Sequence, residues 1–376
     1  MKRSNYHFFV AFFIATAVFV FHYLSLAQTQ YANGWDSYFY LLQVKSLCEG
    51  GHLVSSRISF IYPLLAFFKW LTGDYVLGWK VFVSICAAAS VILSYFIVKK
   101  LTSDKNAAVF SASITLWSPH LYYFSSQYAK NLLGFDFFLL FLLLLMNRKI
   151  YPAIALVFVN LLIHKLTGFL SLAVLVLFIA YNVFVLRARY RYLLWSILPI
   201  VALLFIPKIF GLDDFLRQVD FFTFQPQFTT LQFFDYFHGL MSTMWSAEII
   251  LLNVAVLTMV FLLLKKRVRA FNHWVIPFLF LMLNMPFLKW DVNGFSYRFF
   301  MFSILFGPIL GGVLLSHINN KIISYLLIAL FVGLTAISYK TYDPKLHDPK
   351  NHEYDKVINN LQNSGIFAQS ELLIAH

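Results

Sequence analysis

Long apolar runs, joined by short polar connections, extend over most of the chain. Crossing the hydrocarbon core of a bilayer takes about 20 mostly apolar residues in helical conformation. The pattern therefore predicts an all-α integral membrane protein with about eleven transmembrane helices. The predicted segments cover residues 8–27, 76–98, 106–120, 130–146, 150–164, 168–186, 191–210, 246–264, 272–288, 298–317 and 321–339.

Two further stretches near the N-terminus have a helical pattern but are too short to span. Residues 60–73 are apolar and predict a re-entrant or interfacial segment. Ser37–Glu49 has an apolar face of Tyr38, Leu41, Leu42 and Leu47, which predicts an interfacial helix in the first outer loop.

Composition agrees with a membrane protein and excludes an ordinary soluble domain. Of the 376 residues, 60% are hydrophobic, 19% are aromatic and only 12% are charged. In a soluble protein a net charge of +13 would suggest nucleic acid. Here the excess of positive charge is explained by basic residues in the connections between predicted spans, so no nucleic-acid partner is predicted.

Basic residues concentrate in alternate connections, as the positive-inside rule requires. With a cytoplasmic N-terminus, the inner turns hold fifteen basic residues against a single acid, Asp104. These residues are Lys2, Arg3, Lys99, Lys100, Lys105, Arg148, Lys149, Arg187, Arg189, Arg191, Lys265, Lys266, Arg267, Arg269 and Lys321. The sequence predicts a multi-pass protein of the cytoplasmic (inner) membrane with an extracytoplasmic C-terminus.

This topology divides the chain into a membrane domain, residues 1–340, and a small extracytoplasmic tail, residues 341–376. The tail is either truncated at its last residue or a small cap. The membrane domain has two long outer loops, residues 28–75 and 211–245. Unusual polar residues gather in these loops and at the outer ends of the spans, so chemistry is expected at the outer face.

Asp36 is the first candidate, in the stretch "NGWDSYFYLLQVKSL". As the helix N-cap it would accept amide protons of the first turn, and as a general base it would accept a substrate proton. The two roles are compatible. Trp35, Tyr38, Tyr62 and Asp291 are predicted to line the adjacent substrate cavity.

Basic side chains at the outer boundary are candidates for binding an anion. His164 and Lys165 end an apolar segment, where a snorkelling anchor or a substrate-path role is possible. Arg298 begins a late span, and its planar guanidinium suits phosphate oxygens. Lys130 has the same two interpretations. The acids Asp213 and Asp214 could hold a divalent cation, but a solvated face is the favoured interpretation, so no metal site and no cofactor are predicted.

The stretch "GWDSYFYLLQVKSLCEGG…ISFIYPLLAFFKWLTGD" resembles the first outer loop of GT-C glycosyltransferases, the membrane enzymes that include protein O-mannosyltransferases and aminoarabinose transferases. In that family an acid precedes a Tyr-rich helix, and a Tyr-Pro pair enters the next apolar stretch. Here these positions are Asp36, Tyr38–Tyr40, Tyr62 and Pro63. "YRFFMF" resembles the start of a late span in bacterial members. The second acid and the Asp-x-Asp signature are absent from the loops, which indicates a metal-independent type.

The resemblance implies a sugar donor carried on polyprenyl phosphate and an envelope acceptor, whether glycan, lipid or protein. Asp36 is then the base that activates the acceptor hydroxyl. Arg298, Lys165, His164 and Lys130 are the ligands of the donor phosphate, and a direct displacement inverts the anomeric carbon. Two other functions stay open, a flippase or transporter of lipid-linked saccharides and a non-catalytic protein of envelope assembly.

Overall fold

The computed structural model describes residues 6–33, 35–55, 58–180, 302, 304–318 and 320–341. These residues form eleven helices. They are α1 (Tyr6–Ala27), α2 (Trp35–Gly50), α3 (Ile61–Thr72), α4 (Tyr75–Thr102), α5 (Lys105–Leu116), α6 (Pro119–Gln127), α7 (Ala129–Met146), α8 (Ile150–Ile163), α9 (Lys165–Ala180), α10 (Gly307–Leu315) and α11 (Lys321–Thr341).

The prediction of an all-helical protein is confirmed for this part of the chain. Helices α1, α4 and α7 are long and apolar enough to cross a bilayer. The predicted spans 191–210, 246–264 and 272–288 lie outside the described residues. Because α2, α3 and α6 are not among the predicted spans, the equal number of helices does not test the predicted number of crossings.

The two short N-terminal stretches are both helical. α2 begins at Trp35, two residues before the predicted start, and α3 covers nearly all of 60–73. Gly73 follows the last residue of α3, and its φ of 77° is in the left-handed region that glycine adopts without strain. Asp74 then caps α4, since its carboxylate accepts the N–H of Leu77 at 2.7 Å. This tight connection packs α3 against the start of α4.

α1 and α4 run antiparallel and define two ends of the bundle. At one end Phe8 lies 5.8 Å from Phe96, measured between ring centroids. At the other end the ammonium of Lys80 donates to the carbonyl oxygen of Thr29. We call the first the basic end, because α4 closes there with Lys99 and Lys100. We call the second the loop end, because α2 and α3 lie there.

One predicted segment, 106–120, is wrong as a single span, since the chain breaks at Trp117–Ser118 and continues as α6. Pro119 lacks an N–H and disfavours a helical conformation for the residue before it. Ser118 begins the new helix by accepting the N–H of Leu121 at 2.9 Å. The polar stretch "SPHLYYFSSQYAK" is therefore mostly a helix inside the bundle, with Ser125 buried completely.

α8 and α9 form a hairpin with its tip at the loop end. α8 has 14 residues, and at 1.5 Å per residue it extends about 21 Å, against about 30 Å for a hydrocarbon core. It is therefore shorter than a straight crossing requires. Its tip, His164, lies at the loop end, because Ser59 and Phe60 bond to the two residues before it.

Candidate functional site

Asp36 is the second residue of α2, inside the first helical turn rather than before the helix. A carboxylate in the first turn interacts favourably with the positive end of the helix dipole. Its side chain is half-buried, and the hydroxyl of Tyr40, one turn later, donates to Asp36 Oδ2 at 3.2 Å. The folded chain therefore holds the predicted catalytic carboxylate in a defined hydrogen bond.

The Tyr40 side chain is 4% exposed and has other tyrosines for neighbours. Burial raises its pKa well above the ordinary value, and the charge of Asp36 and the hydrogen bond to it raise it further. Tyr62 on α3 and Tyr128 between α6 and α7 lie close enough to add to the same shift. Tyr62 is itself buried. This residue, which is predicted to line the substrate cavity, therefore lies near Tyr40, the hydrogen-bond partner of Asp36.

The segment between α2 and α3 is hydrogen-bonded to the end of α8. The N–H of Phe60 donates to the carbonyl oxygen of Leu162 at 3.0 Å. The hydroxyl of Ser59 donates to the carbonyl oxygen of Ile163 at 3.1 Å. Both acceptors directly precede His164 and Lys165, so the segment leading into Tyr62 is fixed against the hairpin tip.

His164 separates α8 from α9 in an extended conformation, with φ −144° and ψ 118°. Its Nδ1 lies 3.2 Å from Thr167 Oγ1 and receives the backbone N–H of Thr167 at 3.4 Å. A backbone N–H can only donate, so this contact favours the neutral tautomer with the proton on Nε2. His164 thereby caps α9 with one ring nitrogen and keeps an N–H donor on the other.

A buried polar network supports this tip. Thr167 Oγ1 donates to Asn160 Oδ1 at 3.0 Å, and Asn160 Nδ2 donates to Ser171 Oγ at 2.9 Å. Helix α7 approaches the network through Gly134, where an added Cβ would lie 2.4 Å from Thr167 Oγ1 and 2.7 Å from His164 Cβ. Only a glycine allows α7 to pass this close to His164.

The structure describes some of the other predicted site residues, and the rest lie outside the described ranges. Lys130 and Lys165 are half-buried near the starts of α7 and α9, while Tyr38 is 36% exposed on α2. Trp35 begins α2. Arg298 and Asp291, with Asp213 and Asp214, lie outside the described residues. Four residues after Arg298, the ring of Phe302 lies 5.6 Å from the His164 ring, measured between centroids.

Among the predicted site residues, the loop end thus carries the carboxylate of Asp36, the imidazole of His164 and the ammonium groups of Lys130 and Lys165. Such a set can accept a proton at the carboxylate and stabilise an anion through the imidazole and ammonium groups. Within the described ranges, no group of three or more His, Cys, Asp or Glu side chains could hold a metal ion.

Asp136 was missed at the sequence level, although the signal was visible in "AKNLLGFDFFLLFLLLLM". An acid inside an apolar span is expected to mark a function by default, because charge is costly in hydrocarbon. Asp136 is 5% exposed, and Ser90 on α4 donates to its Oδ1 at 2.5 Å. Its Oδ2 has no hydrogen-bond partner among the described residues.

We expect Asp136→Asn to fold as well as the wild type, because the amide oxygen still accepts from Ser90 and carries no charge into the bundle. Asp136→Ala leaves the Ser90 hydroxyl without its acceptor and should destabilise the fold by about 1–3 kcal/mol. Thermal unfolding in detergent, measured as the fraction of protein that stays monodisperse, compares the two variants with the wild type. Equal losses in both variants would show that an amide cannot replace the carboxyl group of Asp136.

A scan of the chain against models of protein families finds no match, and a search of curated proteins finds none that is similar.

Proposed function

We propose that the protein is a GT-C-type membrane glycosyltransferase. It moves a sugar from a polyprenyl-phosphate donor to an envelope acceptor at the extracytoplasmic face, with inversion and without a metal ion. The membrane architecture is consistent with such a substrate, since the lipid tail remains in the bilayer while the phosphate and sugar reach the loop end.

The observation that supports this proposal most is the attachment of the first outer loop to the hairpin tip. Ser59 and Phe60 bond to the last residues of α8, and Tyr62 follows them in α3. Tyr62 is a neighbour of Tyr40, which bonds to Asp36. A chain of contacts therefore leads from the proposed base to the proposed phosphate ligands His164 and Lys165.

In this proposal Asp36 removes the proton of the acceptor hydroxyl as the oxygen attacks the anomeric carbon. The bond between that carbon and the phosphate oxygen breaks on the opposite face, and polyprenyl phosphate leaves with the electron pair. His164 through Nε2–H, together with Lys165 and Arg298, stabilises the charge that develops on the phosphate. Lys130 is a further cation at the same boundary. Tyr38, Trp35 and Asp291 are assigned to the sugar and acceptor cavity.

The flippase remains the second candidate. A discontinuous helix such as α5–α6 is a feature of transporter sites, but transporters carry such breaks in paired repeats. A flippase moves the intact donor between leaflets, whereas a transferase splits it. A scaffold would do neither, and every charge at the loop end would be dispensable.

Purified protein in liposomes, with a donor labelled in the sugar and a membrane extract as acceptor source, distinguishes these functions. We expect the label to move from lipid to acceptor at the same rate with and without a chelator. Redistribution of intact donor between leaflets would establish the flippase instead. Loss of transfer on chelation, restored by magnesium or manganese, would overturn the metal-independent mechanism and direct attention to Asp213 and Asp214.

His164→Asn tests the phosphate-binding role separately from the capping role. Asparagine is a good N-cap, so α9 should still begin at residue 165, while the Nε2–H donor is lost. We expect transfer to fall about 10-fold or more, in line with the loss of a hydrogen bond to a charged group. The matched control is His317→Asn, at an exposed histidine after α10. Equal activity of the two variants would leave His164 with the capping role alone.

A further inference from the structure

We infer that Tyr40 is the positioning residue for Asp36, with a hydroxyl that holds the carboxylate in one orientation for proton transfer from the acceptor. This assignment rests on the proposed function, because it gives Tyr40 a part in that reaction. It concerns a residue to which the sequence pattern assigned no role of its own.

The geometry begins with the spacing on α2. Residues four apart lie on the same face of a helix, so a side chain at position 40 reaches back over position 36. Tyr40 Oη donates to Asp36 Oδ2 at 3.2 Å. A carboxylate with one oxygen held by a donor directs its other oxygen along a fixed line. An unsupported carboxylate rotates about its Cβ–Cγ bond and spends less time aligned with the acceptor.

The Tyr40 side chain is itself buried. It is 4% exposed, with Tyr62 of α3 and Tyr128 of the α6–α7 junction as neighbours. Helix α2 packs against α3, α4 and α6, and this burial restricts rotation of the ring away from Asp36. Burial of the aromatic ring stabilises the fold whether or not the ring carries a hydroxyl group.

The hydroxyl remains a donor over the working pH range. The titratable groups that act on Tyr40 are Asp36 on its own helix, Tyr62 from α3 and Tyr128 from the junction. Helix α4 also packs against α2, and there the ammonium of Lys80 donates to the carbonyl oxygen of Thr29. Because burial and the charge of Asp36 raise the pKa of Tyr40, it keeps its proton and stabilises Asp36 as a carboxylate.

Tyr40→Phe removes the hydroxyl and keeps the buried ring. A hydrogen bond to the charged form of an acid lowers that acid's pKa, so its removal raises the pKa of Asp36. We expect kcat to fall about 10-fold or more with little change in KM for the donor. The acid limb of the pH profile should move to higher pH, which a general loss of folded protein would not produce.

Tyr75→Phe is the matched control. Tyr75 donates to Glu49 Oε1 at 3.1 Å, so this variant removes the same kind of tyrosine–carboxylate bond at the other end of α2. Its kcat and acid limb should match those of the wild type. A second measurement does not depend on activity. The infrared difference spectrum between the wild type and Asp36→Asn isolates the signal of the Asp36 carboxyl group. The titration of this signal should move to higher pH in Tyr40→Phe.

Three outcomes decide the assignment. The assignment is supported if Tyr40→Phe has a lower kcat and if both the acid limb of its pH profile and the infrared titration of Asp36 lie at higher pH than in the wild type. Unchanged titrations, with Asp36→Asn inactive, overturn the role of Tyr40 and leave the proposed function standing. Absence of transfer by the wild type from every polyprenyl-phosphate sugar overturns the proposed function, and the role of Tyr40 in that reaction with it.

Discussion

Asp36→Asn is expected to lower sugar transfer about 10²–10⁴-fold, the usual cost of removing a general base. The asparagine keeps the size of the side chain and an oxygen that accepts from Tyr40 Oη. It loses only a first-turn charge, which contributes about 0.3–1 kcal/mol at a helix N-terminus. The variant should therefore fold and lose turnover. Transfer rates of equal amounts of monodisperse protein measure the effect.

Asp74→Asn is the matched control for this experiment. Asp74 lies between α3 and α4 and caps α4 through Leu77, and asparagine caps a helix about as well as aspartate. We expect normal transfer from this variant. Near-normal transfer from Asp36→Asn as well would reduce Asp36 to a helix-stabilising residue and remove the base from the mechanism.

Gly168→Ala is expected to have the largest effect on the fold. An added Cβ at this position would lie 2.6 Å from Leu161 Cα and 2.7 Å from Leu161 N. These are backbone atoms of the facing helix, so α8 and α9 must separate close to the tip that positions His164. Overpacking typically costs about 1–3 kcal/mol. We expect a lower unfolding midpoint and a loss of transfer that exceeds the loss of folded protein.

Gly333→Ala is the matched control in a second apolar helix. A Cβ at Gly333 of α11 would meet no atom within 4 Å, and alanine is favoured over glycine inside a helix by about 0.5–1 kcal/mol. This variant should unfold at or above the wild-type midpoint. Equal midpoints for the two alanine variants would show that α8 and α9 do not pack as closely as described.

The sequence pattern predicted the long apolar helices well, because an apolar run of sufficient length has few alternatives in a bilayer. It located α1, α4 and α7 to within a few residues. It failed at Trp117–Ser118 because hydropathy averages over a window, whereas a break depends on one proline and one capping serine. The start of α2 was misplaced for a related reason, since helix ends follow local hydrogen bonding rather than hydropathy.

The candidate site was only partly predictable. Asp36, His164 and Lys165 stand out because ionisable residues are rare in this chain. Tyr40 does not stand out among 21 tyrosines, because its burial depends on how the helices pack. Asp136 was visible as an acid inside an apolar run, but no role was predicted for it. Hydrogen bonds between distant segments, such as Phe60 to Leu162, leave no mark in a hydropathy pattern.

The most direct test of the proposed chemistry is release of polyprenyl phosphate from a panel of polyprenyl-phosphate sugars by purified protein in nanodiscs. Each assay contains the membrane extract as acceptor source and a chelator. We expect the wild type to release polyprenyl phosphate from at least one donor, and Asp36→Asn to release it about 10²–10⁴-fold more slowly from that donor. Release no faster than in protein-free nanodiscs for every donor, or equal release by the two proteins, would contradict a glycosyltransferase with Asp36 as its base.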